Sequence, residues 1–188
     1  MNPIPATWAT EAHRPPPGQY VLGPDAYIGV HRVKIPSFEE AWTYGMDEVA
    51  ATPNPYDGGR TMIRRKQATW GGGYEFGGQK SQNQGALCDA PEAVQRCVEV
   101  AKKLAPSYGA EATEYTAAHV NWYADGKAAL AMHQDTETDH AGRGKPIFSF
   151  TLISASAGCA TSRVFRLAAT RKAAKPDRVA DLDLAHGD

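Results

Sequence analysis

A chain of 188 residues is long enough for one domain with a substantial core, and its 42% hydrophobic and 22% charged residues sit near the globular average. The formal net charge of −1 excludes polyanion binding by bulk charge alone. Cys88, Cys97 and Cys159, widely spaced and without a Cys-x-x-Cys pair, argue against a disulfide frame or a cysteine zinc site, and no apolar run is long enough to span a membrane.

The N-terminus carries Pro3, Pro5 and Glu11 in place of a basic-then-apolar leader, so a soluble cytoplasmic or nuclear monomer is expected. Residues 1–18 end in Pro15-Pro16-Pro17-Gly18 and lack apolar periodicity, which predicts a disordered Pro-rich arm ahead of one domain over 19–188. Ser37 followed by Glu40 reads as a capping box opening a short helix with Phe38, Ala41 and Trp42 on one face, weakened by Gly45. Trp70-Gly71-Gly72-Gly73-Tyr74 reads as a hinge under a lid. A second helix opens at Asp89-Ala90-Pro91, carries Val94, Cys97, Val98, Ala101 and Leu104 on one face, and stops at Pro106 and Gly109, which makes Cys97 a core thiol.

Beyond residue 112 the period shortens. Strands are expected near 116–123, 127–134, 146–153, 163–169 and 179–185, separated by turns at Ala124-Asp125-Gly126, Ala141 to Gly144 and Ser154 to Ser162. The fold class is therefore mostly β, consistent with a double-sheet jelly roll with the helices packed on it. Arg60, Arg64, Arg65 and Lys66 form one basic cluster, and Arg163, Arg166, Arg171, Lys172, Lys175 and Arg178 another. The two read equally as flanks of a polyanion groove or as solvated faces.

His133 and Asp135 are two residues apart, so on a strand they project to one side and offer an imidazole nitrogen and a carboxylate oxygen to a divalent metal. A surface histidine beside a solvated aspartate is the alternative. Asn121 and Tyr123 share the spacing and would aim an amide and a phenol at the same cavity. His119 lies on that face as a buried, hydrogen-bonded histidine.

The whole segment His119 to Leu152, HVNWYADGKAALAMHQDTETDHAGRGKPIFSFTL, resembles the core of the AlkB-like iron(II) and 2-oxoglutarate dependent dioxygenases. Asn121, Tyr123, Gly126, His133, Asp135, Glu137 and Pro146-Ile147 follow the order of that family's pattern. RRKQATWGGGYEFGG at 64–78, Arg163-Val164-Phe165-Arg166 and the terminal LDLAHGD are similar to flanking segments. The resemblance implies a double-stranded β-helix, Fe(II) held by His133 and Asp135, and 2-oxoglutarate contacted by Asn121 and Tyr123. It further implies alkylated or methylated DNA or RNA, single-stranded, as partner. Trp70 or Tyr74 would stack on a base taken out of its helix, Glu137 would accept from its exocyclic amine, and Arg163 would meet a phosphate or base edge. In the family pattern the distal iron histidine, and the arginine for the C5 carboxylate, come after the segment that LDLAHGD resembles, so the final strands are expected to be missing. His186 matches the turn before the ligand-bearing strand, not the ligand. A catalytically inactive jelly-roll binding module, or a protein or amino-acid hydroxylase on the same scaffold, are the alternatives.

Overall fold

The computed structural model describes residues 1–9, 12–23, 26–35, 38–73, 75–76, 79–125, 127–130, 146–154, 162–168 and 178–188. The longest strand, β6 (Met62–Trp70), organises the first half of the fold. It pairs antiparallel with β10 (Ala118–Tyr123) on one side, and on the other with β5 (Ala51–Pro53) and, parallel, with β9 (Gln82–Asn83). The register sets Trp70 opposite Ala118, Ala68 opposite Val120 and Lys66 opposite Trp122. Directly opposed residues share a face, so this row is one side of the sheet, and Thr69–His119, Gln67–Asn121 and Arg65–Tyr123 form the other.

The first row is covered by two helices. In α1 (Glu39–Asp47) the buried positions are Ala41 and Gly45, one turn apart, and Glu39 and Glu40 favour the N-terminal end of the helix dipole. The expected weakness at Gly45 is a packing notch instead. A Cβ there would stand 2.2 Å from the Trp122 indole, whose Nε1 donates to the Ala41 carbonyl at 2.9 Å. Ser37 of the expected capping box lies outside the described residues. In α2 (Glu92–Leu104) Val94, Cys97, Val98 and Ala101 are buried, as the periodicity predicts, together with Ala93, whereas Leu104 is only partly buried, and left-handed Gly109 (φ 74°) follows. Trp70, Trp122, Phe38, Val49 and Ile35 complete this core.

A second core lies between β3 (Gly18–Gly23), β4 (Ala26–Val30) and β12 (Arg178–Ala185), with Tyr20, Val30, Ala180 and Leu182 buried together with Trp8. The described residues of the arm, 1–9 and 12–18, are thus not the disordered segment expected. β1 (Asn2–Pro3) pairs with β3, β2 (Ala12–His13) pairs with β12, and Trp8 is 7% exposed. One indole removes some 150–250 Å² from water, worth about 4–6 kcal/mol at 25 cal/mol/Å². A lone anchor of that kind leaves no periodic signal.

Expected strands 116–123, 163–169 and 179–185 appear as β10, β11 (Ser162–Ala168) and β12, the last two antiparallel neighbours. The other two differ. Asp125 Oδ1 accepts from the Lys127 and Ala128 amides at 2.9 and 2.8 Å, so the turn takes the donors a strand would use, and 127–130 form none. Residues 131–134 lie outside the described residues. Residues 146–154 form no ladder, although Phe150 and Leu152 pack on the first core. Thr151 N–H donates to the Asp188 backbone oxygen at 2.8 Å and Gly187 N–H to the Thr151 carbonyl at 2.9 Å. The Asp188 side chain, 1% exposed, pairs with Arg32 at 3.2 Å and Arg14 at 3.5 Å, which ties the arm to the end of β12. β7 (Glu75–Phe76) and β8 (Gln79–Lys80) form a small hairpin. Gly71, expected as a free hinge, has φ 79° and approaches Thr116 so closely that a Cβ would stand 2.1 Å from its carbonyl oxygen. No helix among the described residues is long and apolar enough to cross a membrane.

Candidate co-substrate site

Pleating explains why the second row of the β6–β10 pair is polar. With Trp70, Ala68 and Trp122 committed to the core, the alternate residues Arg65, Gln67, Thr69, His119, Asn121 and Tyr123 all project from the opposite face. Gln67 and Thr69 are nonetheless buried, 7% and 2% exposed. Thr69 is satisfied by donating to the Gln82 carbonyl at 3.3 Å and accepting from Ser81 Oγ at 3.1 Å. Arg65, opposite Tyr123 at one end of the row, reaches back along it: its Nε donates to Asn121 Oδ1 at 3.0 Å and its Nη2 to Gln67 Oε1 at 3.2 Å. From β11, Arg163 lays its guanidinium 3.5 Å from the centroid of the Tyr123 ring and donates through Nη2 to the Ala128 carbonyl at 2.6 Å. Among the described residues neither Arg65 nor Arg163 is paired with a carboxylate.

Burial and these two cations set the ionisation of the face. Burial lowers the His119 pKa to about 4, the charge of Arg65 lowers it further, and a hydrogen bond with Asn121 opposes both. His119 is therefore neutral at physiological pH. Burial raises the Tyr123 phenol, and Arg163 and Arg65 pull it back, so it remains a hydroxyl and can donate as well as accept. A surface with an amide, a phenol and two guanidiniums that no described carboxylate pairs suits an anionic ligand with more than one oxygen terminus, such as a keto diacid.

The structure therefore brings together Asn121, Tyr123 and Arg163 of the expected residues. His133, Asp135, Glu137 and Tyr74 lie outside the described residues. Among the described residues no group of three histidine, cysteine or carboxylate side chains could hold a metal ion. Trp70 is a correction: it is 1% exposed and packs against Tyr44 and Trp122 with centroids 5.7 and 6.1 Å away. Its position in the core row, not the polar row, leaves no ring face for a base. His186 Nδ1 accepts from the Ile153 amide at 3.1 Å. That bond engages the Nδ1 lone pair with the backbone.

The basic clusters are also reorganised. Pleating sends Arg64 and Lys66 to one face and Arg65 to the other, and Lys66 donates to the Met46 carbonyl. Arg166 forms a bidentate pair with Asp181 across the β11–β12 ladder, at 2.7 and 2.9 Å. Arg171, Lys172 and Lys175 lie outside the described residues. A groove of about 460 Å³ along α1 is lined by Glu39, Glu40, Asp47 and Glu48, carboxylates that repel an anion. Sequence reasoning placed Arg65 in a basic strip and passed over Gln67. The signal was the alternation Arg65-x-Gln67-x-Thr69, a polar period of two running into the buried end of the strand.

A family model described as the 2OG-Fe(II) oxygenase superfamily matches residues 40–188, a span that contains the whole polar face, His133 and Asp135. No curated protein and no solved structure matches the chain.

Proposed function

This chain belongs to the 2OG-Fe(II) oxygenase superfamily, and from that premise we propose that it is an oxidative dealkylase of nucleobases in single-stranded DNA or RNA, on an AlkB-like double-stranded β-helix. The cofactor of such an enzyme is Fe(II) and its co-substrate 2-oxoglutarate. Bound together, they supply the oxidising power to insert one oxygen atom of O₂ into a C–H bond while the keto acid becomes succinate and CO₂. An N-methyl group so hydroxylated collapses to formaldehyde and the repaired base.

In this reading Asn121 and Tyr123 orient the co-substrate, and His133 and Asp135 supply metal ligands. Glu137 accepts from the exocyclic amine of the flipped base, and Tyr74 replaces Trp70 as the stacking aromatic. Arg163, anchored over Tyr123, presents its remaining N–H groups to a phosphate or a base edge. The observation that carries the proposal is the convergence of Asn121, Tyr123 and Arg163 on one polar face, with no carboxylate among the described residues to neutralise the guanidinium.

The test is formaldehyde release from oligonucleotides bearing N-methylated bases, with Fe(II), 2-oxoglutarate and air. Release should match the methyl groups lost and vanish in His133→Ala. A specific observation favours a second reading: the Arg166–Asp181 pair removes one cation from the expected polyanion strip. If 2-oxoglutarate turnover is stimulated by peptides or free amino acids and no oligonucleotide loses a methyl group, the protein or amino-acid hydroxylase reading replaces the dealkylase.

A further inference from the structure

We infer that Arg65, on β6, the strand paired with the Asn121–Tyr123 strand, holds the distal carboxylate of the keto-acid co-substrate and sets the preference for a diacid. The inference rests on the co-substrate assignment of the polar face and departs from the family pattern, in which that arginine comes from a later strand.

Three observations converge on Arg65. First, it lies directly opposite Tyr123 in the β6–β10 register, so its guanidinium belongs to the face that carries the phenol and the Asn121 amide. Second, its partners among the described residues are neutral: Asn121 Oδ1 and Gln67 Oε1 occupy Nε and one Nη2 donor and fix the plane of the fork, and no described carboxylate pairs with it. A half-buried guanidinium held by two amides has its remaining N–H donors oriented for a planar, bidentate anion, and a carboxylate has that shape. Third, its charge reaches both ends of the row: it adds to the lowering that burial imposes on His119 and, with Arg163, opposes the rise that burial imposes on Tyr123. Two residues of strand separate Asn121 from Tyr123, about 7 Å, a length comparable to an extended five-carbon diacid. Arg163 is the weaker candidate, because its plane is spent on the Tyr123 ring and Nη2 on the Ala128 carbonyl.

The discriminating measurement is calorimetric binding, in the presence of Mn(II), of 2-oxoglutarate and of 2-oxopentanoate, which keeps the keto acid and the chain length but lacks the distal carboxylate. The parent should prefer 2-oxoglutarate by about 10- to 100-fold, the loss expected for one charge-assisted bidentate contact. Arg65→Met should bring the two affinities together by weakening 2-oxoglutarate alone, and Arg65→Lys should restore part of the preference. A general structural defect would weaken both ligands, so unchanged 2-oxopentanoate affinity separates anchoring from folding. Retention of the full preference in Arg65→Met, or its loss in Arg163→Met instead, overturns the assignment to Arg65 while leaving the co-substrate face intact. A parent that binds neither keto acid overturns the assignment of the face as well. Arg65-dependent, salt-sensitive binding of single-stranded oligonucleotide in such a protein would give Arg65 to phosphate.

Discussion

Replacing Gly45 by alanine sets two opposing effects against each other. In an open helix interior the change is stabilising by about 1 kcal/mol, because glycine loses more backbone freedom on folding. Here the new methyl would stand 2.2 Å from Trp122 Cε2 and Nε1 and 2.4 Å from Cδ1, far inside van der Waals contact. The indole is 1% exposed and cannot swing into solvent. Displacing it breaks the 2.9 Å bond from Nε1 to the Ala41 carbonyl, a loss of ~1 kcal/mol, and the overpacking adds ~1–3 kcal/mol. The clash wins, and Gly45→Ala should destabilise by about 1–3 kcal/mol net in urea unfolding. It should also weaken 2-oxoglutarate binding, since Trp122 lies between Asn121 and Tyr123 on the same strand. In a Trp122→Leu background, where the indole is absent, the same alanine should become stabilising by about its helix propensity. A Gly45→Ala protein at least as stable as its parent would refute the packing of α1 on β10.

Three further outcomes follow from individual groups. His119 has a folded pKa of about 4 against 6.5 unfolded, so between those values the unfolded chain binds more protons, and stability falls by about 3 kcal/mol as pH drops from 6.5 to 4. Urea unfolding of His119→Gln at pH 7 and pH 5 should show a smaller difference than the parent; an equal difference would mean that His119 is not the group responsible. Cys88 is exposed, whereas burial pushes the Cys97 thiol up to about 12, so iodoacetamide should label Cys88 and spare Cys97 until denaturant is added. Mass spectrometry of the labelled peptides reads this directly, and rapid labelling of Cys97 in the native protein would contradict the core on that side of α2. His186→Ala should leave Mn(II) affinity within about twofold of the parent, whereas His133→Ala should abolish it; a loss at His186 as large as at His133 would show that the bond from Ile153 gives way to a metal.

What was legible in the sequence was periodic. The α2 face, the strands β10, β11 and β12, and the sharing of one face by His119, Asn121 and Tyr123 all come from spacings of two or of three and four, which the backbone imposes locally. What was not legible depended on partners distant in the chain. Trp70 precedes a run of glycines and is expected, from the resemblance, to stack on a base; only pairing with Ala118 reveals that it points at the helices. Gly45 looks like a helix breaker until Trp122, far along the chain, occupies its notch. Arg65 read as one of four adjacent cations, and strand pleating separates it from its neighbours. The arm was misread because one buried tryptophan and two short parallel pairings replace a repeating pattern.

The most direct measurement is anaerobic titration of the protein with Fe(II) and 2-oxoglutarate, following the visible charge-transfer band that a keto acid chelated to iron produces. With the polar face as co-substrate site, the band should develop in the parent, weaken in Asn121→Ala and Tyr123→Phe, and be absent in His133→Ala and Asp135→Ala. No band in a folded parent, or a band of parental strength and affinity in both Asn121→Ala and Tyr123→Phe, would contradict the assignment of this face.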